Sequence, residues 1–306
     1  MTSRGIILIG PTTFGVTDLT PLQRMGAAGY EVRRNPVGKK MSEAELALAL
    51  DGVVGIIAGL EPITAKILAA SQLKVVSRCG VGMENVDIPA AEKLGIRVYS
   101  TPNAPTVAVA ELTLGAMICL LRRVSYMDQQ MHAGGWEKLS GPQLSGKTVT
   151  IVGLGRIGLQ VASYLRSFGV RLLGVDPYRA GTLEGITVVT MDEALAESHI
   201  ISIHASGSQE ILGEREFARA RLNVYVLNTG RGGLINELAL QKALDSGKVA
   251  GAWLDAFAEE PYCGPLRAYK QVLLTPHVGY SSDEARRQME VEATDNLLKG
   301  LAELSG

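Results

Sequence analysis

The sequence predicts an α/β protein built from two doubly wound parallel-sheet domains, one inserted into the other. Short apolar runs alternate with helical patterns along the whole chain, the signature of βαβ units around a parallel sheet. After Gly146 the alternation restarts with its own apolar run and its own glycine-rich turn. A chain of 306 residues also has room for about two domains at roughly 150 residues each. The expected boundaries are residues 1–100 with 282–306 for the outer domain and 101–281 for the inserted one.

In the first series, "GIILIG" precedes the helical "TPLQRMGAAG", "SEAELALALDG" precedes "VVGIIAG", and "TAKILAA" precedes "LKVVSRCG". A long apolar helix is predicted from Thr106 to Arg123, with Asn103 and Pro105 as entry signals. The second series opens with "KTVTIVGLGRIG" and continues through "VRLLGVD", "HIISIHA", "NVYVLNTG", "VAGAWLDAF" and "QVLLTPH". "SSDEARRQMEVEATDNLLKGLAEL" closes the chain as one long helix that returns to the N-terminal domain. No fixed-period repeat and no low-complexity tract interrupts the pattern.

Composition narrows the function classes. With 46% apolar and 20% charged residues and a net charge of −1, the chain is globular, and nothing electrostatic points to nucleic acid or a membrane surface. The Arg122–Arg123 pair reads as a solvated helix end that complements the dipole. "MTSRGIILIGPTT" has no basic segment leading into a long apolar one, and no run reaches the ~18 apolar residues of a membrane span. Three widely spaced cysteines, Cys79, Cys119 and Cys263, fit reduced thiols in the cytoplasm. The CxxC, HxxxH and HExxH spacings are missing, so no metal site is expected.

"TVTIVGLGRIGLQVASYLRSFG" sets Gly153, Gly155 and Gly158 in GxGxxG spacing, after a strand and at the start of an amphipathic helix. The first glycine permits the tight turn, the second lets backbone approach a pyrophosphate, and the third lets helix meet strand. Eighteen residues beyond Gly158 the next strand ends in Asp176. A carboxylate there accepts hydrogen bonds from ribose hydroxyls and repels a 2′-phosphate, which favours NAD over NADP. A lone GxGxxG is weak, but strand, helix, second strand and terminal acid all agree.

Ligands of open α/β sheets bind beyond the carboxyl ends of the strands. Successive strands of the second series deliver Arg231 in "LNTGRGG", Asp255 and Glu260 in "LDAFAEEP", and His277 in "LTPH". A histidine can give or take the proton of a carbonyl or hydroxyl oxygen during hydride transfer. A neighbouring carboxylate stabilises its protonated form and fixes its tautomer, and an arginine fork can clamp a substrate carboxylate. Together Arg231, Glu260 and His277 describe a 2-oxo or 2-hydroxy acid oxidoreductase. Of the remaining histidines, His132 and His199 read as peripheral and His204 as structural.

With these residues in place, the sequence resembles the D-isomer-specific 2-hydroxyacid dehydrogenases, and most of all their phosphoglycerate-dehydrogenase-like branch. "SRCGVGMENVDIPAAEKLGIRV", "TPNAPTVAVAELTLGAM", "GKTVTIVGLGRIG", "LNTGRGGLIN", "LDAFAEEP" and "LTPHVGYSSDEA" carry the resemblance in family order over nearly the whole chain. It implies two Rossmann/flavodoxin-like domains, with His277 as acid/base, Glu260 as its partner and Arg231 as substrate clamp. It further implies that Arg156, Ile157, Asp176, Ala205, Thr229, Gly230 and Asp255 contact NAD, and that backbone N–H groups near Val81 and Gly82 hold the substrate carboxylate. A homodimer through the nucleotide-binding domain is implied as well, with residues 124–136 reaching the partner.

Some positions depart from the family. Leu60 and Glu61 in "AGLEP" stand where 3-phosphoglycerate enzymes carry basic character, which leaves Arg78 as the candidate contact for a second anionic group. "HAS" replaces His-x-Pro around Ala205, Tyr280 replaces a small residue beside His277, and Cys79 is a candidate lining residue of the substrate cleft. Two rival readings stay open. One is a formate dehydrogenase, whose branch carries glutamine at Glu260; the other is an NADH-sensing, corepressor-like binding module.

Overall fold

The computed structural model describes residues 4–304, so positions 1–3 and 305–306 at the ends of the expected substrate domain lie outside the described residues. The chain divides into two compact units, residues 1–105 with 281–306 and residues 106–280. The division falls at Pro105/Thr106 and Tyr280/Ser281.

The first unit runs β1 (Ile6–Ile9), α1 (Thr20–Ala27), β2 (Glu31–Arg34), α2 (Glu43–Ala49), β3 (Val53–Ala58), α3 (Ala65–Ala70), β4 (Val75–Arg78), α4 (Ile88–Lys93) and β5 (Arg97–Tyr99). The inserted unit opens with α5 (Thr106–Arg122) and α6 (Val124–His132), and then alternates β6 (Thr148–Val152), α7 (Arg156–Leu165), β7 (Arg171–Val175), the short β8 (Thr182–Leu183) and β9 (Ile186–Val188), and α8 (Met191–Glu197). It closes with β10 (Ile200–Ile203), α9 (Glu214–Arg219), β11 (Val224–Asn228), α10 (Glu237–Asp245), β12 (Val249–Leu254) and β13 (Val272–Leu274), before α11 (Asp283–Glu303) returns to the first unit.

Among the described residues the first unit holds one five-stranded sheet in the order β2-β1-β3-β4-β5, parallel throughout. Its central strands are apolar on both sides because helices cover both faces. α1 and α11 seal one face: Met25, Ala293, Leu297 and Leu301 pack with Ile7, Ile9, Ile57 and Val75. The other face buries Leu46, Leu50, Ile67 and Leu68 against Leu8, Ile56 and Val76. α11 starts where Ser282 accepts from the Ala285 N–H, a standard N-cap, and the Ser77 hydroxyl ties it to β4 through the Ala293 carbonyl at 2.8 Å.

The inserted unit's eight-stranded sheet runs β13-β12-β11-β10-β6-β7-β9-β8 and is parallel except for the β8–β9 hairpin. From β6 the chain moves to one side through β7 and returns on the other through β10. The strand order therefore reverses between β6 and β10, where a doubly wound sheet opens its ligand crevice. α5 ends at Arg122, one residue short of the expected Arg123: Arg123 takes a left-handed conformation (φ 54°) and separates α5 from α6. Among the described residues no helix is long and apolar enough to cross a membrane, and no cluster of three or more His, Cys, Asp or Glu side chains could hold a metal ion.

Candidate active site

The glycine-rich turn leaves β6 at the switch point. Gly153 has a φ of 91°, and a Cβ there would lie 2.7 Å from the Ala205 amide nitrogen. A Cβ on Gly158 would lie 2.0 Å from the Gly153 carbonyl oxygen. Turn, helix and the chain leaving β10 thus meet at backbone distance. Over Gly155 a Cβ would meet nothing within 4 Å; this residue and Arg156 face solvent.

α7 begins at Gly155 with no side-chain cap and no acidic residue in its first turn. The N–H groups of such a first turn lack intrahelical partners and favour an anion. Asp176, just beyond β7, accepts from the Leu154 N–H at 2.8 Å through one carboxylate oxygen and from the Tyr178 N–H at 2.9 Å through the other. Each oxygen keeps a lone pair for a ribose hydroxyl. An open cradle, an uncapped helix start and an anchored carboxylate fit a dinucleotide.

The crevice floor rests on His204. Its ring nitrogens pair with the Ser202 hydroxyl (2.9 Å) and the Thr229 hydroxyl (2.8 Å), which ties the ends of β10 and β11 together. Burial pushes the His204 imidazole down to about 3, so it is neutral near pH 7. Thr229 directs its hydroxyl to this ring, while Gly230 packs so closely on Ala205 that a Cβ would sit 2.6 Å from the Ala205 carbonyl oxygen.

Beyond β11 the fully buried Asn228 shapes the turn that carries Arg231: its side chain accepts from the Gly230 N–H and donates to the Arg231 carbonyl. The Arg231 guanidinium donates to the Gly230 carbonyl at 3.0 Å. The next residue, Gly232, touches the loop after β12, where a Cβ would fall 1.8 Å from the Phe257 carbonyl carbon. Packing of these two loops sets the Arg231 segment beside the Glu260 segment. Phe257 in turn stacks on Tyr262 with ring centroids 4.4 Å apart, and its N–H donates to Glu260 Oε1 at 3.1 Å.

His277 and Glu260 meet directly. His277 Nδ1 lies 2.9 and 3.0 Å from the two Glu260 carboxylate oxygens, and both side chains are about 40% exposed, at 41% and 38%. An ionised carboxylate only accepts, so this contact suits the ring tautomer with the proton on Nδ1, and Nε2 lies outside the contact. His277 itself is left-handed (φ 53°), a strained conformation for a residue with a side chain. Asp255, only 2% exposed, clamps the segment on either side of it. Its Oδ1 accepts from the Thr275 hydroxyl at 2.5 Å and the Val278 N–H at 2.9 Å, and its Oδ2 from the Gly279 N–H at 2.7 Å.

In the first unit, the chain leaving β4 carries the other expected residues. The Gly80 N–H donates to the Thr101 hydroxyl at 2.8 Å, Val81 is 42% exposed, and Gly82 follows it. Arg78 folds its guanidinium back onto the Cys79 carbonyl. Burial pushes the Cys79 thiol up to about 12, which makes it a poor nucleophile. In the "AGLEP" turn, Glu61 is buried and accepts from the Gly59 N–H at 2.6 Å, whereas Leu60 is 60% exposed.

Sequence reasoning missed Asn228, Trp253 and Thr275. The position of Asn228 ahead of a glycine turn was an available signal. For the other two the hydrogen-bonding partners lie 20 and 22 residues apart along the chain, and no local motif marks them. A groove of about 800 Å³, lined by Tyr126, Glu137, Tyr225, Arg267 and Lys270 among others, opens at the amino-terminal ends of β11 to β13. That is the edge opposite the glycine-rich turn.

The chain is similar to known proteins along most of its length. The family model for the D-isomer specific 2-hydroxyacid dehydrogenase NAD binding domain matches residues 114–279. D-3-phosphoglycerate dehydrogenase of Pan troglodytes is 38% identical over 259 residues, which is 81% of this chain and 49% of that protein. The chain thus spans about half the length of that curated relative. Hydroxypyruvate reductase of Thermotoga maritima is 35% identical, over 78% of this chain and 81% of its own length. A crystal structure of a glyoxylate reductase from Paecilomyes thermophila superposes with a TM-score of 0.87 at 29% identity, covering 98% of this chain and 96% of that one. The chain belongs to the D-isomer specific 2-hydroxyacid dehydrogenase family and carries that family's NAD-binding domain.

Proposed function

We propose that this protein is an NAD-dependent oxidoreductase interconverting a small 2-oxo acid and its D-2-hydroxy acid, within the phosphoglycerate-dehydrogenase-like branch. The observation that carries the reading is the His277–Glu260 pair, which follows the carboxyl ends of β12 and β13 in the sheet whose β6 ends in the glycine-rich turn. Gly153, Gly155, Arg156, Ile157 and Gly158 would hold the pyrophosphate, Asp176 the adenosine ribose, and Ala205, Thr229, Gly230 and Asp255 the nicotinamide half. When bound, NAD accepts or supplies the hydride at substrate C2.

The chain's own residues do the rest. Glu260 fixes the His277 ring through Nδ1 and stabilises its charged form. His277 Nε2 then gives the carbonyl oxygen its proton in reduction and takes it back in oxidation. Arg231 binds the substrate carboxylate; within the first unit, the backbone N–H groups near Val81 and Gly82 are candidates for a carboxylate and Arg78 for a second anionic group. The exposed Val124, Met131 and Trp136 support a homodimer through the inserted unit. The unpaired Cys79, Cys119 and Cys263 support a reducing, cytoplasmic setting.

The test is NADH oxidation against glyoxylate, pyruvate, hydroxypyruvate and 3-phosphohydroxypyruvate, with NADPH as control and chiral analysis of the product. Turnover to a D-2-hydroxy acid with NADH is the expected result. Tight NADH binding without turnover of any 2-oxo acid would favour the NADH-sensing binding module instead.

A further inference from the structure

The Trp253 side chain is fully buried, yet its indole N–H reaches a partner, the Thr275 hydroxyl, at 3.0 Å. Thr275 in turn lies 2.5 Å from Asp255 Oδ1. The direction of this chain of bonds is forced. An indole nitrogen can only donate, and a hydroxyl has one hydrogen to give. With a lone pair taken by Trp253, Thr275 directs its hydrogen to Asp255. The Asp255 carboxylate also accepts from the Val278 and Gly279 N–H groups, the two residues that follow His277. On the other side, the His277 N–H closes onto the Thr275 carbonyl at 2.9 Å. His277 therefore sits in a strained left-handed conformation inside a five-residue segment, 275–279, whose two ends are both fastened to Asp255.

We propose that Trp253 and Thr275 are positioning residues for His277, acting through Asp255 as a buried relay that holds the imidazole where it can exchange a proton with the substrate. The inference rests on the proposed role of His277 as acid/base. Trp253 gives the relay its polarity, and Thr275 is the link that joins the strand core to the loop. Glu260 orients the ring from the side-chain end, while the relay orients it from the backbone end. A displacement of about 1 Å at a reacting group is enough to cost roughly 100-fold in rate, so a relay that fixes backbone can govern kcat without touching substrate.

The test uses Thr275→Val, which keeps shape and loses the hydroxyl, Thr275→Ser, which restores it, and Trp253→Phe, which keeps the ring and loses the N–H. In NADH oxidation, Thr275→Val is expected to lower kcat by roughly 10- to 100-fold with KM for the 2-oxo acid and Kd for NADH within about threefold. Trp253→Phe is expected to show a smaller loss of the same kind, and Thr275→Ser to recover most of the wild-type kcat. A purely structural role would move thermal stability and leave this kcat-against-KM split absent. The chain has two tryptophans and four histidines, so NMR can read the relay whether or not the proposed activity stands. In Thr275→Val the protected Trp253 indole N–H signal is expected to shift and exchange faster, and the His277 ring signal to move, while the His199 ring signal stays. An unchanged kcat in Thr275→Val, an NADH affinity that falls in step with kcat, or an unmoved His277 ring signal would each overturn the proposal. A wild-type protein that turns over no 2-oxo acid would overturn the proposed function, and the His277 ring signal would then decide the relay alone.

Discussion

The side chains of Asp176, Thr229, Arg231, Asp255, Glu260 and His277 are each held by at least one other residue. Glu260 shows this best: it takes an N–H from Phe257 and faces His277 Nδ1 with both oxygens. Glu260→Gln keeps the shape but removes the charge that stabilises an imidazolium. It is expected to lower kcat by about 10- to 100-fold, at the low end of general acid–base effects, with NADH binding unchanged; equal kcat in variant and wild type would remove Glu260 from the mechanism. His204 makes a prediction about stability. Its ordinary value is 6.5 and burial lowers it to about 3 in the folded chain. Above pH 6.5 folded and unfolded states are both neutral there and no stability is lost. As pH falls from 6.5 towards 3 the unfolded state takes a proton that the folded state refuses, so stability drops by up to about 1.4 kcal/mol per pH unit. Urea unfolding between pH 7 and pH 5 should therefore show a steeper loss in wild type than in His204→Asn. Parallel slopes would contradict the buried, neutral assignment.

The elements that place the site differ in how plainly the sequence shows them. "TVTIV" is buried at all five positions of β6, and its apolar run, the glycine spacing and Asp176 are visible in the chain. β2 is not, because "EVRR" forms an edge strand with neither end buried and its polar alternation lacks the apolar run of its neighbours. The break between α5 and α6 was hidden too: arginine gives no signal for a left-handed residue, and only the fold imposes it at Arg123. At the glycine-rich turn the geometry separates two substitutions that sequence alone would group. Gly158→Ala drives a methyl into the Gly153 carbonyl and is expected to destabilise the inserted unit by about 1–3 kcal/mol. Gly155→Ala meets no protein atom within 4 Å, so melting should be unaffected while the methyl fills the cradle and weakens NADH binding at least tenfold. Calorimetric melting with an NADH titration checks both. Equal NADH affinity in Gly155→Ala and wild type would place the cofactor elsewhere.

At the scale of the whole molecule, two sheets of the same construction are assigned different work, and sequence pattern accounts for both as folds. The inserted sheet reverses strand order next to a glycine-rich turn and gathers Arg231, Glu260 and His277 on successive strand ends. These three candidate residues stand out in the chain because each follows an apolar strand at a turn of Gly or Pro. The first unit's "AGLEP" turn was legible only as a departure from family pattern. Which way Glu61 and Leu60 face depends on the Gly59 N–H and on Asn85, which donates to the carbonyls of Gly59 and Glu61. The Trp253–Thr275–Asp255 relay was beyond sequence reading for a related reason: hydrogen-bond direction follows from burial and donor count, and neither is written in local spacing.

The proposed proton transfer by His277 during hydride transfer on a 2-oxo acid is best probed by steady-state NADH oxidation in wild type and His277→Gln with the best substrate of the panel, alongside NADH binding by fluorescence. Wild type is expected to turn the substrate over to the D-2-hydroxy acid and the variant to lose about 10²- to 10⁴-fold in rate, with equal NADH affinity in both. Undiminished turnover in His277→Gln would contradict the proposed proton transfer.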